Sequence, residues 1–325
     1  MHSRQFILQR IAQAVLVIAL SYTLVFFTLF VLPGNPIENK LNNPQNPLPE
    51  SAAAPLLAYY GMDRSPVEQF FLSVQRLFQG DLGFSIISGR PVSELIAQGA
   101  ASTLSLSLTA LIFTLVIAMA VSLTAVFSPI KALRGFARAL PLFFLSTPSF
   151  LVGFLLLLVF SFQLGWVSSI RDQGFLSVVL PALTLAIGVN APITQVLITG
   201  MSKASVEPFV TVLRAKGVSP RAIVLQHIVK NGSIPAITLL ALTAGDLIAS
   251  AVVVETVFNR TGLGYITQQA VRDQDTPVIL AVVMIVSAAF VLLNLLTDLI
   301  YPLIDPRISL TRSRTVAVPR KEALV

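Results

Sequence analysis

The sequence predicts an all-α integral membrane protein built from six transmembrane helices. Of its 325 residues 55% are hydrophobic and only 11% are charged, against about 25% charged in soluble domains, and mean hydropathy is +0.82. Several segments exceed the ~20 apolar residues that cross a bilayer as a helix, and a helix satisfies its own backbone hydrogen bonds in lipid. The chain has no cysteine, which excludes disulfides, thiolate chemistry and cysteine-ligated metals. Its net charge of +7 is spread between the apolar segments rather than gathered with aromatic residues on a polar domain, so positive-inside bias explains it better than nucleic acid does.

Six spans are predicted at 8–32, 103–127, 137–162, 176–198, 234–257 and 278–304. The first is apolar from Ile11 to Leu32, too long for a signal-peptide core and with no small-residue cleavage site after it, so it reads as a retained span. Basic residues set the orientation. Arg4 and Arg10, then Lys131, Arg134 and Arg138, then Lys203, Arg214, Lys216, Arg221 and Lys230, and finally Arg307 to Lys321 all fall on one side of the six-span arrangement. That side is expected to be the cytoplasm, with both termini in it. The first connection carries more acids than bases, and the connections at Arg171–Asp172 and at Arg260 to Asp275 are balanced.

The first connection, 33–102, is long enough to form an outward cap. Its proline- and asparagine-rich start, Asn35 to Pro49, predicts irregular, extended chain. A helix is expected from Ser65-Pro66-Val67-Glu68, with Ser65 as cap, Pro66 in the first turn and Glu68 complementing the dipole. Phe70, Phe71, Val74, Leu77 and Phe78 share one face of it. That face suits either a cap on the membrane surface or simple packing over the span ends.

Pro141 and Pro148 in or beside the third span, and Pro181 and Pro192 in the fourth, remove backbone donors and bend helices. Such bends either line a translocation path or belong to ordinary bundle packing. Ser146 and Ser149 beside Pro148 read as bend residues, not nucleophiles. A polar, basic island from Glu207 to Pro235 separates the fourth and fifth spans. Ser219-Pro220 reads as a helix start and Gly217 as the left-handed end of a preceding helix. The predicted shape is therefore helix, glycine turn, helix. Phe209, Val212 and Leu213 offer an apolar face, and Arg214, Lys216 and Arg221 surround the turn with donors, a form suited to a groove on a soluble partner.

These residues carry a resemblance. Arg214-Ala215-Lys216-Gly217, with His227, Lys230-Asn231 and Ile234-Pro235, resembles the cytoplasmic coupling loop of binding-protein-dependent ABC importer permeases. Within that superfamily it is most similar to the first permease subunit of dipeptide, oligopeptide and nickel importers. Leu32-Pro33-Gly34-Asn35-Pro36, Gly80-Asp81-Leu82-Gly83, Ser88-Gly89-Arg90-Pro91-Val92, Glu255-Thr256-Val257-Phe258 with Gly262-Leu263-Gly264, and Asn294-Leu295 through Asp298 and Tyr301 to Asp305-Pro306-Arg307 agree in order and spacing. The chain departs from the family at Thr211-Val212-Leu213, where an Arg-Thr-Ala-like run is usual, and at Gln274-Asp275-Thr276-Pro277, where Arg-Asp-x-Pro is usual.

The resemblance implies a type I ABC importer permease fold with 1–32 as tail and first helix, 33–102 as extracytoplasmic cap, 103–308 as permease core with a coupling loop at 199–233, and 309–325 as a disordered cytoplasmic tail. It implies a second homologous permease subunit, two ATP-binding cassette ATPases and an extracytoplasmic solute-binding protein as partners, besides membrane lipid. Glu207, Arg214, Ala215, Lys216, Gly217 and Arg221 would meet the ATPases, with Gly217 as pivot. The chain has no G-x-x-x-x-G-K-[ST] loop, so ATP is expected on those partners and the chain itself is expected to be neither an enzyme nor a cofactor protein. Peptide, nickel chelate and metallophore all fit as solute.

Acids within a membrane default to functional candidates. Asp246, midway along the fifth span and outside the family pattern, is expected either on the path or bonded to a neighbouring span. Glu255 resembles a family position at the gate or cap, and Asn190 is a further path candidate. Asn190, Gln195 and Asn294 also suit interhelical bonding. Two histidines far apart, His2 and His227, argue against a metal site. A self-sufficient secondary transporter or channel is the alternative. It would want repeated broken helices with charged ion sites, and no convincing repeat is present. A membrane enzyme lacks any cluster of catalytic groups.

Overall fold

A computed structural model describes residues 2–30, 50–61, 64–168 and 173–304. The predicted irregular stretch 35–49, the Arg171–Asp172 pair and the tail after 304 lie outside the described residues. The described chain is helical, with α1 at His2–Phe30, α2 at Glu50–Tyr60, α3 at Pro66–Phe78, α4 at Val92–Phe127, α5 at Lys131–Ser146 and α6 at Ser149–Leu156. α6 runs on into a π-helical stretch, Leu157–Gln163. Then come α7 at Leu176–Ala204, α8 at Pro208–Ala215, α9 at Pro220–Ala222, a π-helical stretch at Ile223–Ile228, α10 at Val229–Gly232, α11 at Ile234–Val257, α12 at Leu263–Arg272 and α13 at Thr276–Ile304.

Among the described residues four helices are long and apolar enough to cross a membrane: Leu8–Phe30, Val92–Phe127, Leu176–Ala204 and Thr276–Leu296. The pair α5 and α6 makes a fifth if counted as one span, although its halves meet at a bend of 106°. The expected third span is therefore broken. The cause is local: Pro148 restricts the residue before it to extended backbone, and Thr147 adopts φ −104°, ψ 120°. Pro181 and Pro192, by contrast, sit inside an unbroken α7. The expected fifth span is the 24-residue α11.

α4 begins at Val92, a good ten residues before the expected span. Its extra turns hold Val92 and Ile96, which pack with Leu263 and Ala270 of α12 and with Val278, Ala281 and Val282 of α13. The first turns of α4 thus belong to a core shared with α12 and α13. α3 carries the expected Ser65 cap, and Glu68 completes a capping box: the Glu68 amide donates to Ser65 Oγ and the Ser65 amide to the Glu68 carboxylate. Its apolar face divides. Phe70, Val74 and Leu77 pack on Tyr22, Phe26 and Phe30 of α1, with Tyr22 and Ser73 hydroxyls bonded, whereas Phe71 and Phe78 are exposed.

Two further cores lie along α7. At mid-height Leu106 and Ala110 of α4 meet Ala182 and Leu185 of α7 and Leu247, Ala251 and Val254 of α11. At the other end Ala118 of α4 and Ile193, Leu197 and Met201 of α7 receive Val210, Ile223 and Ile228 from the polar island.

Candidate functional site: a basic helix–turn–helix and a polar strip

The island folds as helix, glycine turn, helix. Glu207 occupies the N-cap position of α8, and Pro208 follows it in the first turn. The helix ends at Ala215, and Gly217 reverses the chain at φ +78°, a conformation that costs other L-residues roughly 1–2 kcal/mol. The Gly217 amide donates to the Arg214 carbonyl and the Val218 amide to the Leu213 carbonyl, which satisfies the helix end. Ser219 then caps α9 by accepting from the Ala222 amide. Glu207, Arg214, Ala215, Lys216, Gly217 and Arg221 are all exposed. Arg214 and Arg221 flank an open groove floored by Phe127, Ile223, Val224 and Ile228.

What makes this projecting element rigid is its attachment. Val210, Ile223 and Ile228 are buried against α7, and the backbones of Gly200 and Gly232 meet without any side chain between them. A Cβ on Gly232 would lie 2.7 Å from the Met201 nitrogen and 2.8 Å from the Gly200 carbonyl carbon, well inside van der Waals contact. Neither glycine stood out in the sequence, because nothing local marks two residues thirty positions apart as partners.

α7 also carries an open polar strip. Gly188, Pro192, Gln195 and Thr199 are exposed at helical spacing, and beside them runs the exposed stripe of α11, Leu242, Asp246, Ala249 and Val253. Gly188 and Pro192 of the first stripe, Asp246 and Ala249 of the second, and Leu145, close to the break between α5 and α6, border a cavity of about 390 Å³, open on one side. On α4, by contrast, Leu104, Leu108, Ile112 and Leu115 form an exposed apolar stripe. Asp246 is exposed with no hydrogen bond or ion pair among the described residues.

Asn190 and Glu255 are both enclosed by hydrogen-bond partners, Asn190 in the interhelical role that is one of its two expectations. Asn190 is fully buried; its amide donates to the Thr114 carbonyl at 2.9 Å and its oxygen accepts from Thr194 Oγ1, so it bonds α7 to α4. Glu255 is also fully buried. It accepts from Thr103 Oγ1 at 2.6 Å and from the amides of Gly264 at 2.8 Å and Tyr265 at 3.3 Å, while Thr103 Oγ1 accepts from the Leu263 amide. A carboxylate on a membrane helix needs donors, and the first turn of α12 supplies them. Glu255 therefore staples the start of α12 to α4 and α11. Gln195 is exposed rather than bonded between helices, and Asn294 bonds the Phe290 carbonyl of its own helix.

A second acidic staple escaped the sequence reading, in the segment that departs from the family pattern. Asp275, 4% exposed, accepts from Ser85 Oγ at 2.5 Å and from the Ile86 amide at 3.1 Å, fixing the loop before α4 to the start of α13. Burial pushes its carboxyl above the usual range, against the pull of those hydrogen bonds. Beyond it in the cap, Tyr59 donates to Asp81 at 2.5 Å under the Arg76 guanidinium; burial, then Asp81, pushes its hydroxyl up to about 12.

A bundle of membrane-crossing helices with a rigid, exposed basic element at one end and an ionisable strip within its spans defines a membrane transport subunit built to work with partners. Comparison with known proteins makes this specific. Residues 117–310 match the family described as binding-protein-dependent transport system inner membrane component. The glutathione transport system permease protein GsiC of Salmonella paratyphi A is 32% identical over 306 residues, covering 93% of this chain and 98% of that protein. GsiC of Escherichia coli K12 is 31% identical over the same span. A crystal structure of an amino acid ABC transporter with histidines aligns at TM-score 0.48 and 17% identity, covering 66% of this chain and 95% of that one. The chain belongs to the binding-protein-dependent permease family: it is a multi-pass inner-membrane permease subunit of an ABC importer of the peptide and nickel type, a transport protein and not an enzyme.

Proposed function

We propose that this chain is one of two homologous permease halves of an importer that carries di- or oligopeptides, or a related small solute such as a nickel or metal chelate, across the cytoplasmic membrane. The glutathione named for its relatives favours the peptide end of that range. The charge distribution supports six spans with both termini in the cytoplasm, the length of 33–102 supports an outward cap, and the resemblance supports a coupling loop at 199–233. Two ATP-binding cassette subunits lie beneath and a solute-binding protein docks above.

Glu207, Arg214, Ala215, Lys216, Gly217 and Arg221 receive the ATPases. The observation that carries this reading is the exposed turn at Gly217 on a rigid seat: a push on α8 passes through the Gly200–Gly232 contact to α7, whose next turns bear the polar strip. Closure of the ATPases then rocks α7 and α11 as a body and alternates access to the strip, with Asp246 on the path. Gly217→Asp, which places an anion at the turn, should stop ATP-driven uptake of a tripeptide in cells expressing the whole importer while the chain remains in the membrane at its normal level. Normal uptake by that variant would overturn the coupling assignment.

A further inference from the structure

Apart from the Ser250 hydroxyl, every group bordering the strip cavity that can meet a solute in it only accepts hydrogen bonds, so an anion would find one hydroxyl proton and no cationic side chain. Asp246 is an exposed carboxylate without a partner among the described residues. Pro192 has no amide hydrogen, so the carbonyl four residues earlier loses its helical donor; that residue is Gly188, which borders the same cavity and has no side chain to cover its carbonyl. Thr243, a third neighbour, already donates its hydroxyl proton to the Leu239 carbonyl, leaving its lone pairs. Ser250 is the one hydroxyl there free to donate or accept.

An ionised carboxylate at a span centre is strongly disfavoured in hydrocarbon, and the strip beside Asp246 is Gly, Pro, Gln and Thr where the exposed stripe of α4 is Leu and Ile, which argues for a polar surrounding. We infer that this cavity is a subsite for a positively charged group of the transported solute, a protonated amine, with Asp246 as its counter-ion and the Gly188 carbonyl as a neutral second acceptor. This rests on the reading of the chain as a permease half. It adds the class of chemical group that the half recognises. The negative field would draw a cationic end into the path, and a single carboxylate on an exposed, water-facing wall would hold it weakly enough to release it.

The absence of cysteine allows a direct test in the complete importer in membranes. Ser250→Cys puts one thiol of this chain on the cavity wall, one helical turn from Asp246. Its modification by a cationic reagent, 2-(trimethylammonium)ethyl methanethiosulfonate, is compared with that by the anionic 2-sulfonatoethyl methanethiosulfonate and read from the mass of the chain, the trimethylammonium group standing in for the solute's cation. The ratio of cationic to anionic rates should fall by about tenfold or more when Asp246→Asn is added, the effect of one unit charge about 6 Å away, and be kept by Asp246→Glu. An unchanged ratio overturns the inference. So does a thiol that reacts in the isolated chain but in neither form in the assembled importer, because the carboxylate would then be an interface partner of the second permease. Failure of the permease reading looks different: uptake would continue in Gly217→Asp whatever the reagent ratio.

Discussion

Gly232→Ala isolates the contact that joins the projecting element to α7. Two effects oppose each other. Gly232 lies at the end of a helix, and alanine is favoured over glycine in helices by up to about 1 kcal/mol. The added Cβ, however, would lie 2.7 Å from the Met201 nitrogen, 2.8 Å from the Gly200 carbonyl carbon and 2.9 Å from the Met201 Cα. Ordinary contact begins near 3.5 Å, so the two backbones must separate by about 0.8 Å. All three obstacles are backbone and cannot turn aside, which puts the overpacking cost at the upper end of the usual range, about 3 kcal/mol. The net expectation is a loss of about 2 kcal/mol, together with a slack joint between α10 and α7. In the purified importer the variant should melt lower than the parent, and uptake per ATP hydrolysed should drop several-fold as ATPase strokes are lost in the joint. Gly135→Ala is the control, because a Cβ there meets nothing within 4 Å and the same chemical change should leave stability equal or raised. If Gly232→Ala matched Gly135→Ala in both stability and coupling, the rigid-seat reasoning would be wrong.

Glu255→Gln replaces one accepting oxygen by an amide that faces the donors from Thr103, Gly264 and Tyr265, and should cost about 1–3 kcal/mol, seen as a lower melting temperature and faster hydrogen exchange at 262–265; unchanged exchange would refute the staple. Asp275 keeps its proton to higher pH in the native state than in the unfolded chain, since burial raises its carboxyl, so its contribution to stability is greatest below the ordinary carboxylate pKa and is lost as pH rises through the raised native value. Melting temperature should therefore decline with rising pH more steeply in the parent than in Asp275→Asn, and equal slopes would count against it.

The helix–glycine turn–helix of the polar island was legible because its signals are local. Pro208, Gly217 and Ser219-Pro220 each act within one turn of chain, and Gly217 at φ +78° and Ser219 as cap appear as their spacing requires. Pro148 was equally local, and it breaks the third span outright. The start of α4 was misjudged for the opposite reason: hydropathy marks where lipid begins, whereas Val92 and Ile96 are helical because α12 and α13 cover them. The acids divide along the same line. Asp246, Glu255 and Asp275 are alike in sequence as rare carboxylates among apolar residues. Glu255 and Asp275 are enclosed by donors from segments far along the chain, and Asp246 is not.

The sequence by itself determined that this is a helical membrane protein, which faces of its connections are basic, where its glycine turn lies and which family it belongs to, because composition, charge and short-range backbone preference are properties of the chain read in order. Only the tertiary structure decided which acid is a staple and which faces an open cavity, that Asn190 bonds α7 to α4, and that Gly200 and Gly232 make one joint. Those depend on which distant segments supply a donor, a wall or a bare backbone at a given point in space, and no local pattern encodes that.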